Sequence, residues 1–93
     1  MVVGLLRVRL AVFESLSLKD KRRVVKSLKD RLHGRHNVSV AEVDDLDSRQ
    51  MATLAVAMIA NDARFIDAAL RKIVDEIRGS GRSSLVDYHI EMM

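Results

Sequence analysis

Apolar side chains alternate with others from Val2 to Phe13. Leu6, Val8, Leu10 and Val12 fall on one face, and Leu5, Arg7, Arg9, Ala11 and Phe13 fall on the other. A period of two with β-branched residues predicts a half-buried strand. Ser15 to Ser17 then reads as a turn, and Ser17 with Asp20 imitates a capping box in which Asp takes the usual Glu/Gln place. The spacing predicts a helix over about Leu18–His33, with Gly34 as its stop. On a wheel of about 100° per residue, its apolar residues Leu18, Val24, Val25, Leu28 and Leu32 gather between about 240° and 360°.

Asn37 to about Asp44 predicts a second, shorter strand, and Asp44, Asp45 and Asp47 mark a tight connection. Met51–Ala60 predicts a third strand, with Leu54, Val56 and Met58 on one face. Its other face, Thr53, Ala55, Ala57 and Ile59, is small or apolar, so this strand belongs in the middle of a sheet. Asn61 is the expected N-cap of a second helix, with Asp62 favoured by the positive helix end. That helix reaches about Arg78, and Gly79 ends it. Its apolar face is Ala63, Ile66, Ala69, Leu70, Ile73, Val74 and Ile77. Leu85 to Met93 alternates again, with Val86, Tyr88, Ile90 and Met92 opposed to Asp87, His89 and Glu91.

The predicted order is strand, helix, strand, strand, helix, strand. With right-handed crossovers this is an α+β, ferredoxin-like βαββαβ sandwich: an antiparallel sheet of order 4-1-3-2 with both helices on one face. The first and last strands are then neighbours. Arg7 and Arg9 are expected to share the open face with Asp87, His89 and Glu91 and to form cross-strand ion pairs with them. That pairing would withdraw the two arginines from any nucleic-acid site.

Ninety-three residues suit a single domain over 1–93 with one core, and a domain of this size buries only about 60–65% of its unfolded surface. The chain is 48% hydrophobic and 31% charged, which argues for a folded rather than a disordered chain. Zero Cys excludes a disulfide framework, a thiolate zinc site and a cysteine nucleophile. No apolar run approaches the roughly 18 residues that span a bilayer, and no cleavage pattern follows the interrupted apolar start, so a soluble, cytoplasmic protein without a membrane partner is expected. The net charge of +3 conceals an asymmetry: Met1–His36 carries +7 and Asn37–Met93 carries −4. Such a dipolar molecule steers a polyanion, or another copy of itself, to one side.

The segment Ser17-Leu-Lys-Asp-Lys-Arg-Arg-Val-Val-Lys-Ser-Leu-Lys-Asp-Arg-Leu32 resembles the signature of the YlxP-like family, the domain of unknown function numbered 503. So does Asn37-Val-Ser-Val-Ala-Glu-Val-Asp-Asp-Leu-Asp47, and Ala52-Thr-Leu-Ala and Asn61-Asp62 match in the expected places. The resemblance covers nearly the whole chain. It implies the ferredoxin-like fold and brings no established activity. It also implies a bacterial protein whose relatives' genes often lie among translation and ribosome-maturation genes, a context that points toward RNA. Two departures stand out: His36 replaces the family's usual Phe, and Ser48-Arg49-Gln50 replaces its usual Leu-Trp-Gln run.

On the first helix Lys29, Arg22, Lys26, Lys19 and Arg23 fall at about 20°, 40°, 80°, 100° and 140°, one coherent stripe. Like charges at these spacings cost an isolated helix a few tenths of a kcal/mol per pair. A polyanion such as RNA explains the stripe; an ordinary solvated face and an acidic protein partner are the alternatives. Lys21, at about 300°, lies in the middle of the apolar face and must snorkel or meet an acid. Glu42 or Asp44 is the expected partner in a structural ion pair, with a ligand-binding lysine as the alternative. The Asp44, Asp45 and Asp47 cluster fails as a calcium loop, because the sixth residue from Asp45 is Gln50 and the twelfth is Val56. His33, His36 and His89 are scattered, and structural roles are expected. No nucleophile elbow, phosphate-cradling glycine loop or cofactor pattern is present, so no enzyme, metal or cofactor is expected. Any RNA is expected to meet the helix through its backbone rather than the sheet through its bases, because the open face lacks paired aromatics. The competing readings are a homo-oligomer built on the open sheet face, Leu5, Ala11, Phe13, Ala57 and Ile59, and a small-ligand regulatory domain.

Overall fold

The computed structural model describes all residues, Met1–Met93. Six elements follow in order: β1 (Val2–Val12), α1 (Leu18–Arg35), β2 (Ser39–Asp44), β3 (Met51–Ala60), α2 (Ala63–Arg78) and β4 (Ser83–Met92). The sheet runs β2-β3-β1-β4 with every neighbouring pair antiparallel, so the chain has the ferredoxin-like arrangement. β3 lies inside the sheet, as its two apolar faces require. Leu6, Val8, Leu10, Leu54 and Val56 bury one sheet face against Val25, Leu28 and Leu32 of α1 and Ile66, Leu70, Ile73, Val74 and Ile77 of α2. The other sheet face is uncovered. No helix is long and apolar enough to cross a membrane.

Local signals set the starts of both helices. Ser17 stands in extended conformation, and its hydroxyl accepts from Asp20 N at 3.1 Å. The Asp20 carboxylate reaches back to Leu16 N at 3.2 Å, one residue earlier than a strict capping box. For α2 the cap is Asp62 rather than Asn61: its carboxylate accepts from Arg64 N at 2.9 Å. Either residue type caps well, so sequence alone does not choose between neighbours.

Gly34 does not stop α1. The helix continues to Arg35, and His36 turns extended while its N–H still donates to Leu32 O at 2.9 Å. The His36 imidazole is held by Glu76 of α2, with Nε2 to Oε2 at 2.8 Å, and this tether fixes where the helix ends. Gly79 does end α2.

Both edge strands contain an irregularity that alternation does not reveal. In β4, Leu85 faces Leu10 and Asp87 faces Arg9, which leaves Val86 as an extra residue, 53% exposed. Leu85 takes the inward place expected of Val86, and β4 begins earlier, at Ser83. In β2, Glu42 pairs with Leu54 and Asp44 with Thr53, so Val43 is the extra residue. A bulge of this kind re-aims side chains. Here Glu42 turns toward the helices and Asp44 toward the open face.

Gly4 sits under α2, where a Cβ would run into Ile66 Cγ2, a side chain with no exposed surface. The absence of a side chain sets the approach of α2 to β1. Gly4→Ala is expected to cost about 1–3 kcal/mol through overpacking. Urea unfolding measures this; an unchanged midpoint would show that the approach is not fixed here.

Candidate nucleic-acid interface

α1 presents two unlike faces. Lys21, Val25, Leu28 and Leu32 are buried, while Lys19, Arg22, Arg23 and Lys26 are exposed and Lys29 is half-buried. Of these stripe cations only Lys26 has a carboxylate, Asp30, at 2.8 Å one turn on. The hydrogen bond between them raises the Lys26 ammonium above its usual value and lowers the Asp30 carboxyl. Both are open to solvent, so the pair is weakly held and is readily exchanged for another anion. Lys19, Arg22, Arg23 and Lys29 form no ion pair within the chain.

Lys21 is wholly buried at the centre of the apolar face. Its Nζ donates to the carbonyls of Asp45 (2.7 Å), Met51 (3.1 Å) and Leu46 (3.4 Å), all around the β2–β3 connection. Those bonds use all its donors. Glu42 Oε2 lies 2.9 Å from Nζ, so the two charges pair as well. Lys21 therefore joins α1 to β2 and the following turn, and it keeps no donor for a ligand. Asp44 is not its partner: the bulge turns Asp44 to the opposite face of the sheet.

On that open face the expected cross-strand pairs do not form. Arg7 stands opposite His89, Arg9 opposite Asp87 and Leu5 opposite Glu91, but the arginines reach the other way. Arg7 Nη2 meets Asp44 Oδ2 at 3.4 Å and Arg9 Nε meets Asp45 Oδ2 at 3.1 Å. The cause is what lies between: their neighbours on β3 are Ala55 and Thr53, small enough to be crossed. Asp45, in left-handed conformation at φ 60°, also takes the Thr53 hydroxyl at 2.6 Å. The Thr53 bond first, then Arg9, holds the Asp45 carboxyl below its usual value of 3.8. Arg7 and Arg9 are thus occupied, though by acids other than those expected. Asp87 and His89 border a hollow of about 230 Å³ beside them.

A larger cleft, of about 400 Å³, opens at the amino-terminal end of the stripe. It lies between the β1–α1 turn, the first turns of α1 and the α2–β4 turn, and Arg23 and Arg82 both line it. Sequence spacing gave no sign of this site, because Phe13 and Arg82 meet only through the sheet, where Phe13 N donates to Arg82 O at 2.9 Å.

A family model described as protein of unknown function matches residues 3–90, nearly the whole chain. The chain belongs to the DUF503 family. His36 and Ser48, at the two places singled out in the sequence, each have a structural role. His36 is anchored by Glu76, and Ser48 Oγ accepts from Met51 N at 2.9 Å, closing the turn into β3. No curated protein matches the chain. Among solved structures, the de novo designed protein Foldit4 is similar at 18% identity and a TM-score of 0.52, covering 99% of this chain and 94% of that one. That likeness concerns the fold alone.

Lys21→Met is expected to cost about 3–5 kcal/mol in urea unfolding, because it strands a buried carboxylate and leaves carbonyls without donors. A loss within experimental scatter would mean that Lys21 does not hold the turn. For Asp45 the folded value is depressed, so its contribution is present above the ordinary 3.8 and is lost as pH falls through the lower folded value. Asp45→Asn keeps a residue that tolerates the left-handed backbone. It should lower the melting temperature at neutral pH, with the gap to wild type closing in acid; a gap independent of pH would exclude the carboxylate as its source.

Proposed function

We propose that this chain is a non-enzymatic RNA- or ribosome-associated binding module that uses the outer face of α1. The carrying observation is that Lys19, Arg22, Arg23 and Lys29 lie along one helix face without any carboxylate partner. Helix stability alone favours interleaved acids on such a face. A polyphosphate backbone supplies the missing charges and gains free energy from released counterions. Arg9 is held by the partly buried Asp45 and Arg7 lies beside Asp44, so the sheet face offers fewer carboxylate-free cations than α1.

A second reading has its own observation. Ile59 is 62% exposed on the uncovered sheet face, with Leu5 and Ala57 beside it. That patch favours self-association through the open face. Sedimentation at tens of micromolar separates the readings, because a strict monomer removes the second and leaves the first untouched.

The test of the first is retention of the chain on ribosomal subunits and structured RNA across a salt series. Four phosphate contacts give a slope of log affinity against log salt of about −3 to −4. Arg22→Glu with Lys26→Glu should abolish retention at low salt. Arg64→Glu with Lys72→Glu, an equal charge change on α2, should largely preserve it. A slope near zero, or equal loss from both double variants, overturns the reading.

A further inference from the structure

The cleft shares Arg23 with the stripe and adds Phe13, Glu14 and Arg82, which backbone binding by the helix face leaves unused. Arg23 and Arg82 come from opposite walls, and neither guanidinium is ion-paired. Phe13, just past the end of β1, lines the cleft and is 53% exposed, an aromatic ring left largely in water. Glu14 follows it in left-handed conformation, at φ 55°, which disfavours any residue but Gly, Asn or Asp. Two carboxylates line the cleft, but they are not equivalent. Asp20 is engaged by Leu16 N, whereas Glu14 has neither an ion pair nor a hydrogen bond. The volume of about 400 Å³ is at the small end of the range that holds a small molecule.

We propose that this cleft seats one unstacked nucleotide of a single-stranded RNA, with its base on Phe13, its amino-bearing edge on Glu14 and its flanking phosphates on Arg23 and Arg82. The proposal rests on the RNA reading above and adds a base-contacting site to it. Single-stranded RNA is recognised by splaying a base onto an aromatic ring and bonding its Watson–Crick edge. Arginines beside the ring serve the phosphates on either side. An ionised carboxylate only accepts hydrogen bonds, so of the two pyrimidines Glu14 favours the one whose edge carries an amino donor. Cytosine offers its N4 amino group there. Uracil places carbonyl oxygens on both sides of its single N–H and is repelled. Stacking therefore supplies affinity and Glu14 supplies discrimination. The stripe on α1 continues from Arg23 and carries the rest of the strand.

The experiment compares short fluorescent oligo(rC) and oligo(rU) by anisotropy and follows backbone amides by NMR during titration with CMP and UMP. Oligo(rC) is expected to bind several-fold more tightly than oligo(rU). Phe13→Ala should weaken oligo(rC) by at least about fivefold, and Phe13→Tyr should restore it, because a stacked base contributes this much. Glu14→Gln should erase the preference for cytosine without weakening oligo(rU). CMP should shift the amides of Phe13, Glu14 and Gly81 more than UMP does. The amide spectrum of each variant reports its folding, and Arg82→Gln, on an exposed turn, provides a second variant expected to weaken both oligomers. Tight oligomer binding with the usual salt slope, unaffected by Phe13→Ala, overturns the cleft and leaves the stripe. Amide shifts at the cleft with CMP, but no salt-dependent binding of oligomers, retain the cleft and remove the stripe. Unmoved cleft amides with CMP together with equal affinity for oligo(rC) and oligo(rU) overturn the proposal outright.

Discussion

A primary ammonium with no exposed surface ties this small domain together. Lys21 enters the core from α1 and gathers the carbonyls of the β2–β3 connection around itself, with Glu42 as its counter-charge. Removing a charge from water is costly, and the surroundings offset that cost only when the geometry is complete. The position of α1 over the sheet and the path of the chain from β2 into β3 are therefore fixed by the same atom. With Lys21 turned inward, the remaining cations of the helix face outward as a row. The same constraint that orders the core thus sets the orientation of the charged surface.

The bulge at Val43 contributes to the same division. It sends Glu42 to the helix side, where Lys21 needs it, and Asp44 to the sheet side, where Arg7 needs it. One extra residue lets two acids that plain alternation would put on the same side, Glu42 and Asp44, serve opposite faces. Small residues on β3 complete the arrangement by letting the arginine arms cross. The outcome is a molecule in which Arg7 and Arg9 on the sheet side reach carboxylates while Lys19, Arg22, Arg23 and Lys29 of α1 have none. This contrast, more than net charge, distinguishes a binding face from an ordinary basic surface.

Much of the fold was legible because its determinants are local. Period-two alternation in β1 and β3, the apolar stripe of α2 and the Ser17 cap each depend on residues close in sequence. The two-faced apolar character of Met51–Ala60 placed that strand inside the sheet. Features that depend on distant partners were not legible. Gly34 is compatible with a helix once Glu76 holds His36 beyond it. The slips at Val43 and Val86 are set by strand neighbours and invert the alternation that sequence alone suggests. The shared open face of Arg7, Arg9, Asp87 and His89 followed from strand adjacency, but a long flexible arm is not bound to its nearest neighbour. For the candidate site, the stripe and the core position of Lys21 could be read from helical spacing. The cleft could not, because its walls come from opposite ends of the chain.

The full enclosure of Lys21 has a chemical consequence. An amine can be acylated only where a reagent reaches its lone pair, so Lys19, Lys26 and Lys72, all at the surface, are open to modification in the native molecule. Lys21 becomes available only when the hairpin between β2 and β3 swings away from the helix. Its rate of labelling is thus a site-resolved clock for that local opening, built into the chain without any added probe.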